Sequence, residues 1–180
     1  MPCCFGGTSL PSARKDSAVS RIYIRFATPS DADRLVKDEV LVGTPPPGST
    51  WHQRAAVWLS EQKTGHRFVL VAEDHSGLLG IVQLVLKFPD GYNDPEAANG
   101  MDVAMMEGLR TRATAPKEVA EQLVDEIQSL ARKRAIKTLT FCLSMDQNKA
   151  LAQARQWGFE EFRIMPEKRG MMAFFRKAFD

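Results

Sequence analysis

One carboxylate in the sequence occupies an otherwise apolar strand face. In the segment MDVAMMEGLRT, Glu107 alternates with Val103, Met105 and Leu109 and therefore shares one face of the predicted strand with them. Apolar surroundings make a carboxylate a better proton acceptor, so Glu107 is a candidate general base. The alternative is a β-bulge at Gly108, which would turn Glu107 toward solvent or toward an arginine partner.

Three cations flank the turn that follows this strand. In RTRATAPKEVAEQL, Arg110, Arg112 and Lys117 surround the start of an amphipathic helix, and a helix N-terminus flanked by cations binds anions such as phosphate. The alternative is a solvated basic rim. Pro116 has no N–H to donate, and Glu118 adds a negative charge, although both residues also suit the start of a helix. The sequence therefore predicts a weakened phosphate-binding turn.

The elements around these residues follow the order βααβββαβαββ. One strand–helix–strand crossover, from the fourth to the fifth strand, implies a parallel pair, and the other connections suit antiparallel hairpins. The predicted class is α/β with a mixed sheet flanked by helices. The strands are predicted at residues 21–28, 67–74, 78–88, 101–111, 137–145, 160–167 and 170–179, and the helices at 31–41, 51–65, from the cationic turn to about 135, and at 146–157.

Composition narrows the function classes. The chain has 180 residues, and a net charge of +2 gives no case for nucleic-acid binding. No apolar run approaches the roughly 20 residues that span a bilayer. We expect a flexible tail over residues 1–20, a single domain over 21–180 and a cytoplasmic location. The cysteines and histidines show no metal-ligand spacing, so no metal is expected: Cys3, Cys4, Cys142, His52, His66 and His75.

The joint order and spacing of these segments resemble the GNAT superfamily of N-acetyltransferases. IRFATPSDADRL is similar to its opening strand and helix. FVLVAEDHSGLLGIVQLVL is similar to its second and third strands, including the glycine just after the turn. DQNKALAQARQWGFEEF is similar to its segment of an amide side chain, a helix and a Gly-Phe pair before a strand. The resemblance covers about Ile22 to Phe179.

The resemblance implies an activity. In that family the fourth and fifth strands splay apart, acetyl-CoA lies in the gap, and the next helix points its N-terminus at the pyrophosphate. The acetyl group passes directly to an amine of a small molecule or protein. The implied acetyl-CoA-binding residues include three with N–H groups expected to remain available, Lys117, Glu118 and Val119. The others are Leu109, Arg110, Thr111, Arg112 and Asn148.

The sequence departs from the family at the position of the general acid. The family often has a tyrosine that protonates the leaving thiolate, and that position is Ala154 here. Tyr92, on the loop before the fourth strand, is the candidate acid, although a loop tyrosine more often packs. Asn148 is expected to bind the pantetheine arm or to cap the short helix, and Gln147 matches better by strict count. Asp102 is a weaker candidate base.

Two further functions stay open at this point. A CoA-sensing or protein-interaction module without catalysis is favoured by Pro116, Glu118 and Ala154. Transfer of a bulkier acyl group is favoured by the methionine-rich fourth strand, since methionine side chains adapt to varied shapes. The acceptor is expected near the second helix, where Trp58 is predicted to be core and His52 to lie on the surface. A homodimer is left open.

Overall fold

The computed structural model describes residues 21–89, 93–167 and 170–179, and it confirms the predicted element order. The predicted tail and Tyr92 lie outside these residues. The strands are β1 Tyr23–Phe26, β2 Arg67–Asp74, β3 Gly77–Val85, β4 Val103–Thr111, β5 Thr138–Ser144, β6 Glu160–Glu167 and β7 Gly170–Ala178. The helices are α1 Asp31–Lys37, α2 Trp51–Lys63, α3 Glu118–Lys133 and α4 Asn148–Gln156.

The strands form a seven-stranded mixed sheet in the order β1-β2-β3-β4-β5-β7-β6. The pair β4 and β5 is parallel, as the crossover through α3 predicts, and every other neighbouring pair is antiparallel. This confirms the predicted α/β class and mixed sheet.

Helices cover both faces of the sheet, so the central strands β2 and β3 are largely apolar. α3 packs its predicted face on one side, with Val119, Leu123 and Ile127 fully buried. α1 and α2 pack on the other side through residues such as Leu35 and Trp58. Strands covered on both faces carry continuous apolar runs instead of alternating ones, which explains the RFVLVAED and GLLGIVQLV segments.

The parallel pair separates soon after it forms. β4 and β5 are paired only at Val103–Thr138, Ala104–Leu139 and Met105–Thr140, after which β5 continues against β7 as far as Ser144. The facing edges of β4 and β5 beyond these positions have no partner in the sheet. The gap between them is the splay that gives the fold its central groove.

None of the described helices combines the length and apolar character required to cross a membrane. Within the described ranges, no group of three or more His, Cys, Asp or Glu side chains is arranged to hold a metal ion.

Candidate active site

Three cavities follow one another through the splay. The central cavity, about 560 Å³, lies between β4 and β5 and is closed by α4. It shares Gln153 and Trp157 with the turn cavity, about 400 Å³, which lies at the start of α3. It shares Met105, Glu107 and Cys142 with the far cavity, about 600 Å³, which opens toward α2, β6 and β7. Together the three form one groove through the sheet.

Glu107 lies where the central and far cavities meet, in the same cavity wall as Met105, but its surroundings are not apolar alone. The Glu107 side chain is 44 % exposed, and its Oε2 accepts a hydrogen bond from Arg67 Nη1 at 2.6 Å. The alternative of a bulge with an arginine partner is therefore the one observed. The register moves from Ile81–Arg110 to Gln83–Glu107, so two residues of β4 lie opposite one residue of β3.

Gly108 makes this bulge possible. Its φ of +64° lies in the left-handed region, which other residues rarely adopt. A Cβ at this position would lie 2.6 Å from Gln83 Nε2, so the absence of a side chain leaves room for the Gln83 amide. Gln83 is 1 % exposed, and its Nε2 has no hydrogen-bond partner among the described residues.

Arg67 links Glu107 to the interior. Its guanidinium donates to Glu61 Oε2 at 2.5 Å and to Gln83 Oε1 at 2.5 Å, in addition to Glu107. Arg67 is 4 % exposed. These three partners therefore provide the hydrogen bonds that a buried charge requires. One guanidinium faces two carboxylates here, and of the two only Glu107 lines the groove.

The turn before α3 keeps two of its three expected N–H donors. Val119 N–H donates to Pro116 O at 3.1 Å, so the expectation that it remains available is wrong. No acceptor within the described part of the chain takes the N–H of Lys117 or Glu118. Pro116 lies two residues before the helix, whose N-cap is Lys117, instead of at its first position. The tight turn at Pro116 is what engages the Val119 donor.

The cations of the turn differ in their surroundings. Arg112 and Lys117 both line the turn cavity, where Arg112 Nη2 donates to Ser76 Oγ at 2.6 Å and its Nε has no described partner. Arg110 instead lies over the Trp51 ring, with its Cζ 4.6 Å from the centroid, and it lines the central cavity. Partial desolvation lowers the pKa of the Arg110 guanidinium. The structure thus separates Arg110 from the two cations at the turn.

The other predicted residues take distinct positions. Leu109 lines the central cavity, and Thr111, paired with Gly80 of β3, lines the turn cavity. Gln147, and not Asn148, lines the central cavity. Asn148 is the first residue of α4 and Gln147 is the N-cap, so the predicted capping role of Asn148 is wrong. The chain passes the cavity one residue before the helix begins.

The position of the expected acid is apolar. Ala154 is fully buried and belongs to the main core cluster. Tyr23 lies on the edge strand β1, remote from the splay in strand order, and Tyr92 falls outside the described residues. No tyrosine of the described chain therefore lines the groove.

Cys142 lines both the central and the far cavity from β5. Burial, assisted by the negative charges of Glu107 and Glu167, raises the pKa of the Cys142 thiol to about 11. At neutral pH this cysteine is a thiol and a poor nucleophile, since the thiolate is the reactive form.

Several groove residues are not among the sequence predictions. Arg67, at the start of a largely apolar strand, contacts Gln83 and Glu107, which lie 16 and 40 residues further along the chain, so spacing alone could not reveal these two contacts. Gln83 does carry a signal, because it is the single polar residue within LLGIVQLVL and a buried polar group calls for a partner. The others are set by packing: Arg54, Gln153 and Trp157.

Solved structures share this architecture over nearly the whole described chain. The ribosomal-protein-alanine N-acetyltransferase from Brucella melitensis has 20 % identity and a TM-score of 0.68, covering 87 % of this chain and 99 % of its own. The GCN5-related N-acetyltransferase from Kribbella flavida has 18 % identity and a TM-score of 0.64, covering 88 % and 98 %. The chain has the GNAT fold. The resemblance inferred from the sequence is thus confirmed for the architecture.

A third structure with the GNAT fold is that of yncA from Salmonella typhimurium with its cofactor acetyl-CoA. It has 18 % identity and a TM-score of 0.66, and the match covers 88 % of this chain and 94 % of yncA. No protein-family model matches the sequence, and no curated protein is detectably similar to it. The likeness therefore lies in the GNAT fold.

Proposed function

We propose that the protein is an acetyl-CoA-dependent N-acetyltransferase that moves the acetyl group directly to a primary amine. The observation that carries this proposal is the groove, in which the turn, central and far cavities follow one another through the splay of β4 and β5. A cofactor with phosphates at one end and a thioester at the other matches this succession. The occurrence of acetyl-CoA with the similar yncA fold supports it.

The residues present fit acetyl-CoA. The unpaired edges of β4 beyond Met105 and of β5 beyond Thr140 offer peptide N–H and C=O groups, which need hydrogen-bond partners when water is excluded. The two amides of a pantetheine arm are such partners. At the turn, Arg112 and Lys117 supply positive charge, and the N–H groups of Lys117 and Glu118 supply donors for phosphate oxygens.

We assign to Glu107 the role of general base for the acceptor amine. Its carboxylate is bound by Arg67 and remains 44 % exposed at the junction of the central and far cavities. It takes the amine proton directly or through one water, and the freed nitrogen lone pair forms the N–C bond with the acetyl carbon as the C–S bond breaks. Arg67 and Gln83 position this carboxylate and do not contact the reacting atoms.

The attacking nitrogen loses its second proton to solvent as the amide forms, and the leaving thiolate takes a proton from solvent, without a dedicated tyrosine from the described chain. Acetyl-CoA supplies an acetyl group activated as a thioester, whose thiolate is a fair leaving group. The groove brings the amine to this group, and well-oriented reactants gain about 7–11 kcal/mol from proximity. Cys142 does not act as a nucleophile because its thiol stays protonated at neutral pH, which favours direct transfer over an acetylated enzyme.

The test combines binding with turnover. Thermal melting is measured with acetyl-CoA, CoA and ATP, and initial rates of thiol release are measured with acetyl-CoA and a panel of amines. We expect stabilisation by the two CoA species beyond that by ATP, and amine-dependent thiol release. Stabilisation without thiol release would favour a CoA-sensing module. The buried Ala154 and the engaged Val119 N–H are the two observations that favour this alternative. Absence of both responses would contradict the proposal.

A further inference from the structure

The far cavity holds an arginine that forms no ion pair with the described residues. Arg54 of α2 lines this cavity, and its Nε is buried without a hydrogen-bond partner. Its guanidinium carbon lies 5.9 Å from the centroid of the Trp58 ring. No carboxylate of residues 21–89, 93–167 or 170–179 forms an ion pair with it. A buried donor on a charged group calls for a partner, and an anionic ligand provides one.

The second arginine of the cavity is already neutralised. Arg67 pairs with Glu61 at 2.5 Å and with Glu107 at 2.6 Å. The far cavity therefore has a cationic region at Arg54 and an anionic region at Glu107, with Glu167 also at its wall. A zwitterion with one anionic and one cationic group complements this pattern. The two carboxylates of the wall disfavour a phosphate dianion, so a single carboxylate is the anion that fits.

The rest of the cavity wall is apolar. Phe88, Phe174, Met105 and Met172 line it, and its volume of about 600 Å³ lies within the range of small-molecule sites. Aromatic and methionine side chains accept an apolar body of variable shape. The site thus offers a place for a carboxylate, a place for an amine and an apolar surface beside them.

We infer that the acceptor is a small amino acid with an apolar side chain, whose carboxylate binds Arg54 and whose amine reaches Glu107. This inference rests on the proposed acetyl transfer and names the acceptor class for the same groove. A protein N-terminus carries no free carboxylate beside its amine, so it leaves Arg54 without its ligand. The same holds for polyamines and for simple alkylamines.

The test compares matched acceptors that differ only in the carboxylate. Rates of thiol release at saturating acetyl-CoA are measured with L-phenylalanine and L-methionine, with their amides, and with a peptide that begins with phenylalanine. The amides are the less basic amines and are more fully unprotonated at neutral pH. A cavity without a carboxylate site would therefore favour the amides, whereas the Arg54 site favours the acids by about tenfold or more in kcat/KM.

Arg54→Gln removes the charge and keeps a polar side chain. We expect the ratio of kcat/KM for acid over amide to fall at least tenfold, mainly through the KM of the acid. Lys63→Gln, which removes one charge from the exposed far end of the same helix, is the matched control and keeps the ratio. Equal or better use of the amides or the peptide by the parent, or an unchanged ratio in Arg54→Gln, would overturn the inference.

A binding measurement keeps the inference testable when thiol release is absent. L-phenylalanine, L-methionine and 3-phenylpropionate are titrated into the protein saturated with CoA. We expect binding by at least one carboxylate and about tenfold weaker binding to Arg54→Gln. No carboxylate binding, or binding that does not depend on Arg54, overturns the acceptor class. Failure of CoA itself to bind is the separate result that contradicts the proposed acetyl transfer.

Discussion

Arg67 Nη1 of β2 donates a hydrogen bond to Glu107 Oε2 at 2.6 Å, reaching past β3 to the bulge in β4. The same guanidinium holds Glu61 on its other side at 2.5 Å. Arg67 is buried and Glu107 is partly exposed, so the pair presents one carboxylate at a defined place in the groove. Both carboxylates bind Arg67, but only Glu107 lines the groove.

Glu107→Gln is expected to lower turnover by about 10²–10⁴-fold while acetyl-CoA affinity is unchanged, because the amide keeps the shape but accepts no proton. The rate of the variant should rise with pH as solvent deprotonates the amine. Steady-state kinetics from pH 6 to about 10 measure this. Glu61→Gln is the matched control, since it removes the other partner of Arg67 outside the groove. Parental turnover with an unshifted pH profile in Glu107→Gln would rule out the assignment.

Gly108→Ala tests whether the bulge positions Glu107. Alanine at a φ of +64° costs about 1–2 kcal/mol of unfolding free energy. The added Cβ would also lie 2.6 Å from the buried Gln83 amide. Gly65→Ala has a similar φ of +75° and nothing within 4 Å of its Cβ, so it measures the backbone cost alone. Chemical denaturation should show a larger loss for Gly108→Ala, with lower turnover only in that variant. Equal losses and parental turnover would show that Gln83 is not constrained by Gly108.

The Cys142 thiol provides a pH-dependent test of burial. Its pKa is raised to about 11, chiefly by burial, so the reactive thiolate forms only as the pH approaches that value. Cys3 and Cys4 are replaced by serine so that Cys142 is the single cysteine left in the chain. We expect the rate of alkylation by iodoacetamide to rise steeply between about pH 9 and 11, above the range of an ordinary thiol. An apparent pKa of 8.5 or below, from mass spectrometry of the alkylated protein, would contradict this environment.

Regular patterns were sufficient to predict most of the fold. The spacing of Val119, Leu123 and Ile127 defines the buried face of α3, and the crossover through that helix predicts the parallel pair. The splay itself came only from the family resemblance, because strand patterns carry no information on where pairing stops. The helix predicted to end at Leu41 ends at Lys37, since Glu39 takes a φ of +58°.

The candidate site was harder to predict for two physical reasons. First, Gly108 permits either regular alternation or a bulge, and the choice depends on Gln83 and Arg67, which come from other strands. Second, hydrogen bonding at helix ends changes over a single residue. At the start of α4, a difference of one residue places Gln147 and not Asn148 in the cavity. At the start of α3, the Val119 N–H that was predicted to be available donates to Pro116 O.

Calorimetric titration with acetyl-CoA is the most direct test of the central claim that the groove binds this cofactor through the turn before α3. The parent should bind, with affinity that falls as salt rises. Arg112→Ala combined with Lys117→Ala should weaken binding at least tenfold, because both cations line the turn cavity. Lys63→Ala combined with Lys133→Ala removes the same charge from exposed positions elsewhere and should bind like the parent. No binding by the parent, or equal binding by the two double variants, would contradict the account.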